Sequence, residues 1–124
     1  MEQLAYIALL GAAGCLSRYF LSGWVYQLFG RGFPYGTLAV NIIGSFLIGL
    51  TMEFSIRSAL ISPVLRIALT IGFLGGFTTF SSFSFETFRL LEEGAFVIAF
   101  FNVLVSVVSC LACTWIGIVV ARAL

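Results

Sequence analysis

Apolar residues along the chain do not alternate or recur on one helical face. They run in long blocks, separated by three short polar interruptions. A hydrocarbon core needs about 20 consecutive apolar residues per helix. The blocks at about 3–29, 36–57, 64–91 and 94–122 therefore predict four membrane-spanning helices. Gly30-Arg31-Gly32-Phe33-Pro34-Tyr35 is turn chemistry with an interfacial aromatic. Ser58 to Pro63 forms the second loop, with Pro63 suited to the first turn of the next helix. Glu92-Glu93-Gly94 marks the third turn. These elements leave no room for a soluble domain, so residues 1–124 are read as one transmembrane domain.

The third block differs from the others. Gly72 to Glu86 reads Gly-Phe-Leu-Gly-Gly-Phe-Thr-Thr-Phe-Ser-Ser-Phe-Ser-Phe-Glu, rich in glycine, hydroxyls and phenylalanine. Gly75-Gly76 supplies the freedom to interrupt a helix there, and Thr79 is suited to N-cap a second half-helix. Lipid cannot hydrogen-bond an open backbone, so a broken span must line a cavity or lie inside protein. Such breaks are common ion and substrate sites. The first half would end in orphan carbonyls with partial negative charge, which suits a small bare cation if two copies meet there.

Composition strengthens the membrane reading. Hydrophobic residues make up 61% and charged residues 9%, against about 25% charged in soluble domains. The net charge of +1 gives no field to attract nucleic acid. Without histidine, His-based metal sites and Ser-His or Cys-His catalysis are excluded. Cys110 and Cys113 form a C-x-x-C in aliphatic surroundings, which points to small buried thiols rather than redox or zinc chemistry. Ala12-Ala13-Gly14-Cys15 resembles a lipoprotein cleavage box, but Glu2 and the missing positive n-region argue that residues 1–29 are retained.

Four spans put both termini and the second loop on one side, with Arg57, Arg66 and Arg122; Arg31 and Arg89 fall on the other. So little positive-inside bias is compatible with insertion in both orientations and an antiparallel dimer, or is simply uninformative. Small residues at Ser45 and Gly49, and at Gly72 and Gly76, favour close helix packing.

Several side chains at depth could meet an ion. Phe80 and Phe83 share a helix face, and ring edges carry partial positive charge; most of the fourteen phenylalanines, however, serve packing. Asn41 offers amide donors in the second span. Asn102, Ser106, Ser109, Cys110 and Cys113 form a polar stripe on the fourth, either as helix glue or as weak anion donors. Arg18 lies within the first span and could face a vestibule, snorkel, or hold a loop. Glu86, beyond the break, could pair with an arginine or line a vestibule.

Gly14-Cys15-Leu16-Ser17-Arg18, Gly36-Thr37-Leu38-Ala39-Val40-Asn41 with Gly44, and the Gly72-to-Glu86 run together resemble the Fluc (CrcB-type) fluoride channels over essentially the whole chain. The resemblance implies an all-α membrane protein of four transmembrane helices per subunit with a broken third helix. It implies a dual-topology, antiparallel homodimer in the cell (inner) membrane, with two antiparallel pores and a structural Na⁺ at the dimer centre. It further implies that Gly75 and Thr78 give the Na⁺-binding main-chain carbonyls, and that Phe80, Phe83, Asn41 and Ser106 line the fluoride path. Arg18 matches the family's vestibule arginine. Cys110 falls where relatives often have serine, and Asn102 where some have tyrosine. The expected function is passive, fluoride-selective export. A small dual-topology multidrug or cation exporter is the main rival, but it needs a membrane-embedded carboxylate that the first span lacks. A non-transporting assembly subunit would not need the broken third span.

Overall fold

The computed structural model describes all residues, 1–124, and contains helices and turns only. Four helices are long and apolar enough to cross a membrane: Glu2–Phe29, Tyr35–Arg57, Pro63–Glu92 and Phe96–Ala123. The first, second and fourth are the uninterrupted helices α1 (Glu2–Phe29), α2 (Tyr35–Arg57) and α6 (Phe96–Ala123). The third is assembled from pieces: α3 (Pro63–Ile67), a π-helical stretch (Ala68–Leu74), a single turn α4 (Gly75–Phe77), and α5 (Phe80–Glu92). A helix of 28 residues spans about 42 Å. The two longest elements thus exceed a hydrocarbon core of about 30 Å.

Local chemistry ends each helix. Gly30 closes α1 at φ 81°, a left-handed conformation open to glycine. The Ser62 hydroxyl accepts from the Leu65 amide at 3.2 Å and Pro63 occupies the first turn of α3. After α5, Gly94 has φ 78°, its amide donates to the Leu91 carbonyl at 3.1 Å, and the Ala95 amide reaches Leu90 at 2.8 Å. That pair of bonds is a Schellman motif, which uses carbonyls the helix end would otherwise orphan. Because the motif occupies Gly94 and Ala95, α6 begins at Phe96 rather than at residue 94.

Backbone contacts between helices take the place of a large side-chain core. Only 17 of 124 residues are buried, and the largest fully buried side chains are Val40 and Asn102. Between α2 and α6, a Cβ at Gly49 would strike the Thr114 carbonyl, and one at Gly117 would strike the Phe46 carbonyl. Between α1 and the π-helical stretch, Gly14 lies against the Phe73 carbonyl in the same way. A Cβ at Gly76 would stand 2.6 Å from the Gly11 carbonyl. Small residues at these positions are what let the backbones approach. A Glu53–Arg122 ion pair at 2.8 Å joins α2 to the end of α6.

One expectation needs correction. The helix does not break at Gly75-Gly76: both lie in α4, and Gly75 has ordinary helical angles (φ −61°, ψ −39°). The extended residues are Thr78 (φ −90°, ψ 157°) and Thr79 (φ −148°, ψ 113°). Gly76 instead provides the close approach to α1. The π-helical stretch was not anticipated either; its wider turn leaves no compositional trace, and such stretches are frequent at functional sites.

Candidate functional site

A break at membrane depth leaves backbone donors and acceptors that the protein must satisfy. Here side chains from two other helices satisfy several of them. In a continuous helix the Thr79 amide would bond to the Gly75 carbonyl. It donates instead to Asn41 Oδ1 at 2.8 Å, while Asn41 Nδ2 donates to the Thr79 carbonyl at 3.0 Å. The side-chain amide of α2 thus pairs with this residue as a neighbouring strand would. The Gly76 carbonyl accepts from Arg18 Nε at 3.0 Å. The Leu74 carbonyl accepts both the Thr78 amide, at 3.0 Å, and the Thr78 hydroxyl, at 2.9 Å. On the far side, Thr79 Oγ1 N-caps α5 by accepting from the Ser82 amide at 3.1 Å.

Among the carbonyls at the break, two lose their helical donors to side chains. The Gly75 carbonyl loses the Thr79 amide to Asn41, and the Thr78 carbonyl loses the Ser82 amide to Thr79 Oγ1. Both residues line one cavity. No cluster of three or more Cys, Asp or Glu side chains could hold a metal. A hard cation at this point would have main-chain oxygens as ligands, and the two freed carbonyls fit that role.

The cavity has a volume of about 460 Å³ and lies between α2, the break and α6. Asn41, Phe80, Phe83, Ser106 and Cys110 all reach it, together with Gly75 and Thr78. The sequence-identified side chains of three different spans therefore converge on one space. Phe80 and Phe83 form a tilted pair with ring centroids 5.4 Å apart and planes at 53°. Phe80 is 78% exposed, so its ring projects from the subunit instead of filling its core. Ser106 is buried, with 8% of its surface exposed, and Cys110 is partly covered. The donors facing the space are few and weak: one remaining Asn41 N–H, hydroxyls, a thiol and ring edges. No formally charged side chain lines it.

Arg18 is not among the lining residues; its guanidinium is spent in part on Gly76 at the back of the break. Ser109 does not line the cavity either, and its hydroxyl bonds to the Val105 carbonyl of its own helix. Cys113 lies one turn beyond the lining residue Cys110.

Glu86 forms a second polar cluster. Its Oε1 accepts from the Thr37 hydroxyl at 2.8 Å and the Tyr26 hydroxyl at 3.5 Å, while Oε2 is buried without a partner. Arg31 sits over the Tyr26 ring at 4.6 Å, so the first loop is tied to this carboxylate through an aromatic ring. Tyr26 was not marked out in the sequence, and Thr37 only as a member of the Gly36-to-Asn41 run; a hydroxyl at a helix end has no pattern that announces a partner 49 residues away.

Residues 5–118 match the family described as CrcB-like protein, Camphor Resistance (CrcB). The chain is 80% identical to a protein of Geobacter sp. named fluoride-specific ion channel FluC, over the full length of both. It is 79% identical to a protein of the same name from Citrifermentans bemidjiense, and 72% to one from Geotalea uraniireducens, in both cases over the full length of each chain.

Proposed function

The chain belongs to the CrcB family, and from that membership we propose that it is a fluoride-selective channel of the cell membrane. It lets F⁻ leave the cell passively, down its electrochemical gradient. The observation that carries this reading is the convergence of Phe80, Phe83, Asn41, Ser106 and Cys110 on one uncharged cavity beside the break. Removing water from a small anion is very costly, so a path must offer replacement contacts. It must also release the ion, which calls for several moderate sites rather than one strong one. Ring edges, a thiol and single hydroxyls are contacts of that strength.

The active unit in this reading is an antiparallel homodimer with two pores. Phe80 projects from its own subunit, as expected of a residue that completes a path with a partner copy. The Gly75 and Thr78 carbonyls of each copy would meet at the twofold axis and hold a structural Na⁺, whose charge offsets four converging carbonyl dipoles. Arg18 supports that centre by holding Gly76, and its remaining N–H donors attract anions toward the path. A proton-coupled cation exporter is disfavoured because no carboxylate lines the cavity; Glu86 lies outside it.

Purified dimers in liposomes, loaded with fluoride or chloride and followed with ion-selective electrodes, test the proposal. Rapid F⁻ efflux with negligible Cl⁻ efflux is expected. No F⁻ flux from well-folded dimers overturns the channel reading, and equal Cl⁻ flux overturns the selectivity.

A further inference from the structure

Asn102 on α6 is the most buried polar side chain, 1% exposed, yet it does not line the cavity. A primary amide at membrane depth must find its partners within the protein. Its Nδ2 donates to Thr87 Oγ1 at 2.8 Å, and its Oδ1 accepts from Ser106 Oγ at 3.4 Å. The Thr87 hydroxyl has only one proton, and that proton goes to the Phe83 carbonyl at 2.7 Å. The group facing Thr87 must therefore be the amide's donor, which fixes Oδ1 toward Ser106. A directed relay results: Ser106 to Asn102 to Thr87 to Phe83. Its two ends are cavity residues on facing helices, and its two middle members stand behind the cavity wall.

We propose that Asn102 is a positioning residue for the anion path, which sets through this relay how readily the Ser106 hydroxyl turns toward an ion. This deepens the fluoride-channel reading and rests on it. At 3.4 Å the Ser106 bond is long beside the usual O–H···O distance of about 2.8 Å. The proton is thus held loosely: it turns to an arriving anion at small cost, and Asn102 Oδ1 takes it back when the anion moves on. Without that acceptor, Ser106 would bond to a carbonyl of its own helix, as intramembrane serines commonly do. A relay that begins at Ser106 and ends at the Phe83 backbone also keeps the hydroxyl and the ring in register.

The test is fluoride efflux from liposomes as a function of fluoride concentration, using Asn102→Leu, Thr87→Val, Ser106→Ala and the Asn102→Leu/Ser106→Ala double variant. Thr87→Val keeps the shape of the side chain and removes the oxygen that accepts from Asn102 and donates to the Phe83 carbonyl, cutting the relay at that point. Loss of one hydrogen bond corresponds to about a fivefold change, so Asn102→Leu and Thr87→Val should each raise the half-saturating concentration about fivefold. In the Ser106→Ala background, Asn102→Leu should shift it no further. If Asn102→Leu fails to give dimers, the shift in Thr87→Val decides. Additive shifts, unshifted single variants, or a lower maximal flux at unchanged half-saturation each overturn the proposal. Absent flux from the wild-type dimer overturns the channel reading itself, whereas wild-type flux with additive variants overturns the relay alone.

Discussion

Replacing Asn41 by leucine should unfasten the broken span. Leucine is close in size and as comfortable in the interior, so the change removes polar pairing with little loss of packing. Two bonds disappear, from Asn41 Nδ2 to the Thr79 carbonyl at 3.0 Å and from the Thr79 amide to Oδ1 at 2.8 Å. Both Thr79 backbone groups are then without partners at a depth where water is scarce. A buried group left unsatisfied costs about 1–3 kcal/mol, so the pair amounts to about 2–6 kcal/mol. That is a large share of a typical folding free energy of about 5–15 kcal/mol. Ser45→Ala is the matched control, because Ser45 lines the same cavity. SDS titration of the purified protein, monitored by size exclusion and tryptophan fluorescence, should give a clearly lower midpoint for Asn41→Leu and a near wild-type midpoint for Ser45→Ala. Fluoride flux should fall in the same order. A wild-type midpoint for Asn41→Leu, or an equal loss for Ser45→Ala, would refute the clamp.

Phe80→Ile and Phe83→Ile keep much of the side-chain bulk but remove a ring edge and break the Phe80–Phe83 pair, a kind of contact worth about 0.5–1.5 kcal/mol, so each should lower fluoride flux about two- to tenfold in a folded protein. Normal flux in both would take the rings out of the path. Cys110→Ser replaces a weak donor by a good one at a cavity position and should preserve or raise flux; a large loss would count against its place beside the ion. Gly14→Ala drives a Cβ into the Phe73 carbonyl, and relief requires α1 to move away from the π-helical stretch. Overpacking of that kind costs about 1–3 kcal/mol, readable as a lower unfolding midpoint, and an unchanged midpoint would mean that the helices separate freely.

The four spans were legible because lipid imposes a simple rule, long apolar runs, on any helix that crosses it. Thr79 was legible as an N-cap because a hydroxyl three residues ahead of an amide is a local signal. The position of the break was not. Gly75 and Gly76 read as freedom to bend, yet the helix runs through them and ends at the next residue, Phe77. What holds Thr78 and Thr79 extended is tertiary: Asn41 from α2 and Arg18 from α1 take over the bonds the helix gives up. Asn41 was recognisable as a polar residue at depth, but not as a clamp, since spacing along one span cannot show which neighbour it meets. The same limit hid the roles of Thr87 and Asn102, whose bond crosses from α5 to α6.

With 17 of 124 residues buried and glycine at the tightest crossings, the usual map of mutational tolerance is turned over. In a water-soluble domain, trimming large interior side chains does most of the harm. Here many of the large side chains lie on the outside, where one apolar residue can replace another against lipid with little effect on stability. The intolerant sites are the smallest ones: a single methyl group at Gly14, Gly49 or Gly117 meets main chain that has nowhere to go. A chain built this way tolerates change in its bulk facing lipid and resists it at its gaps.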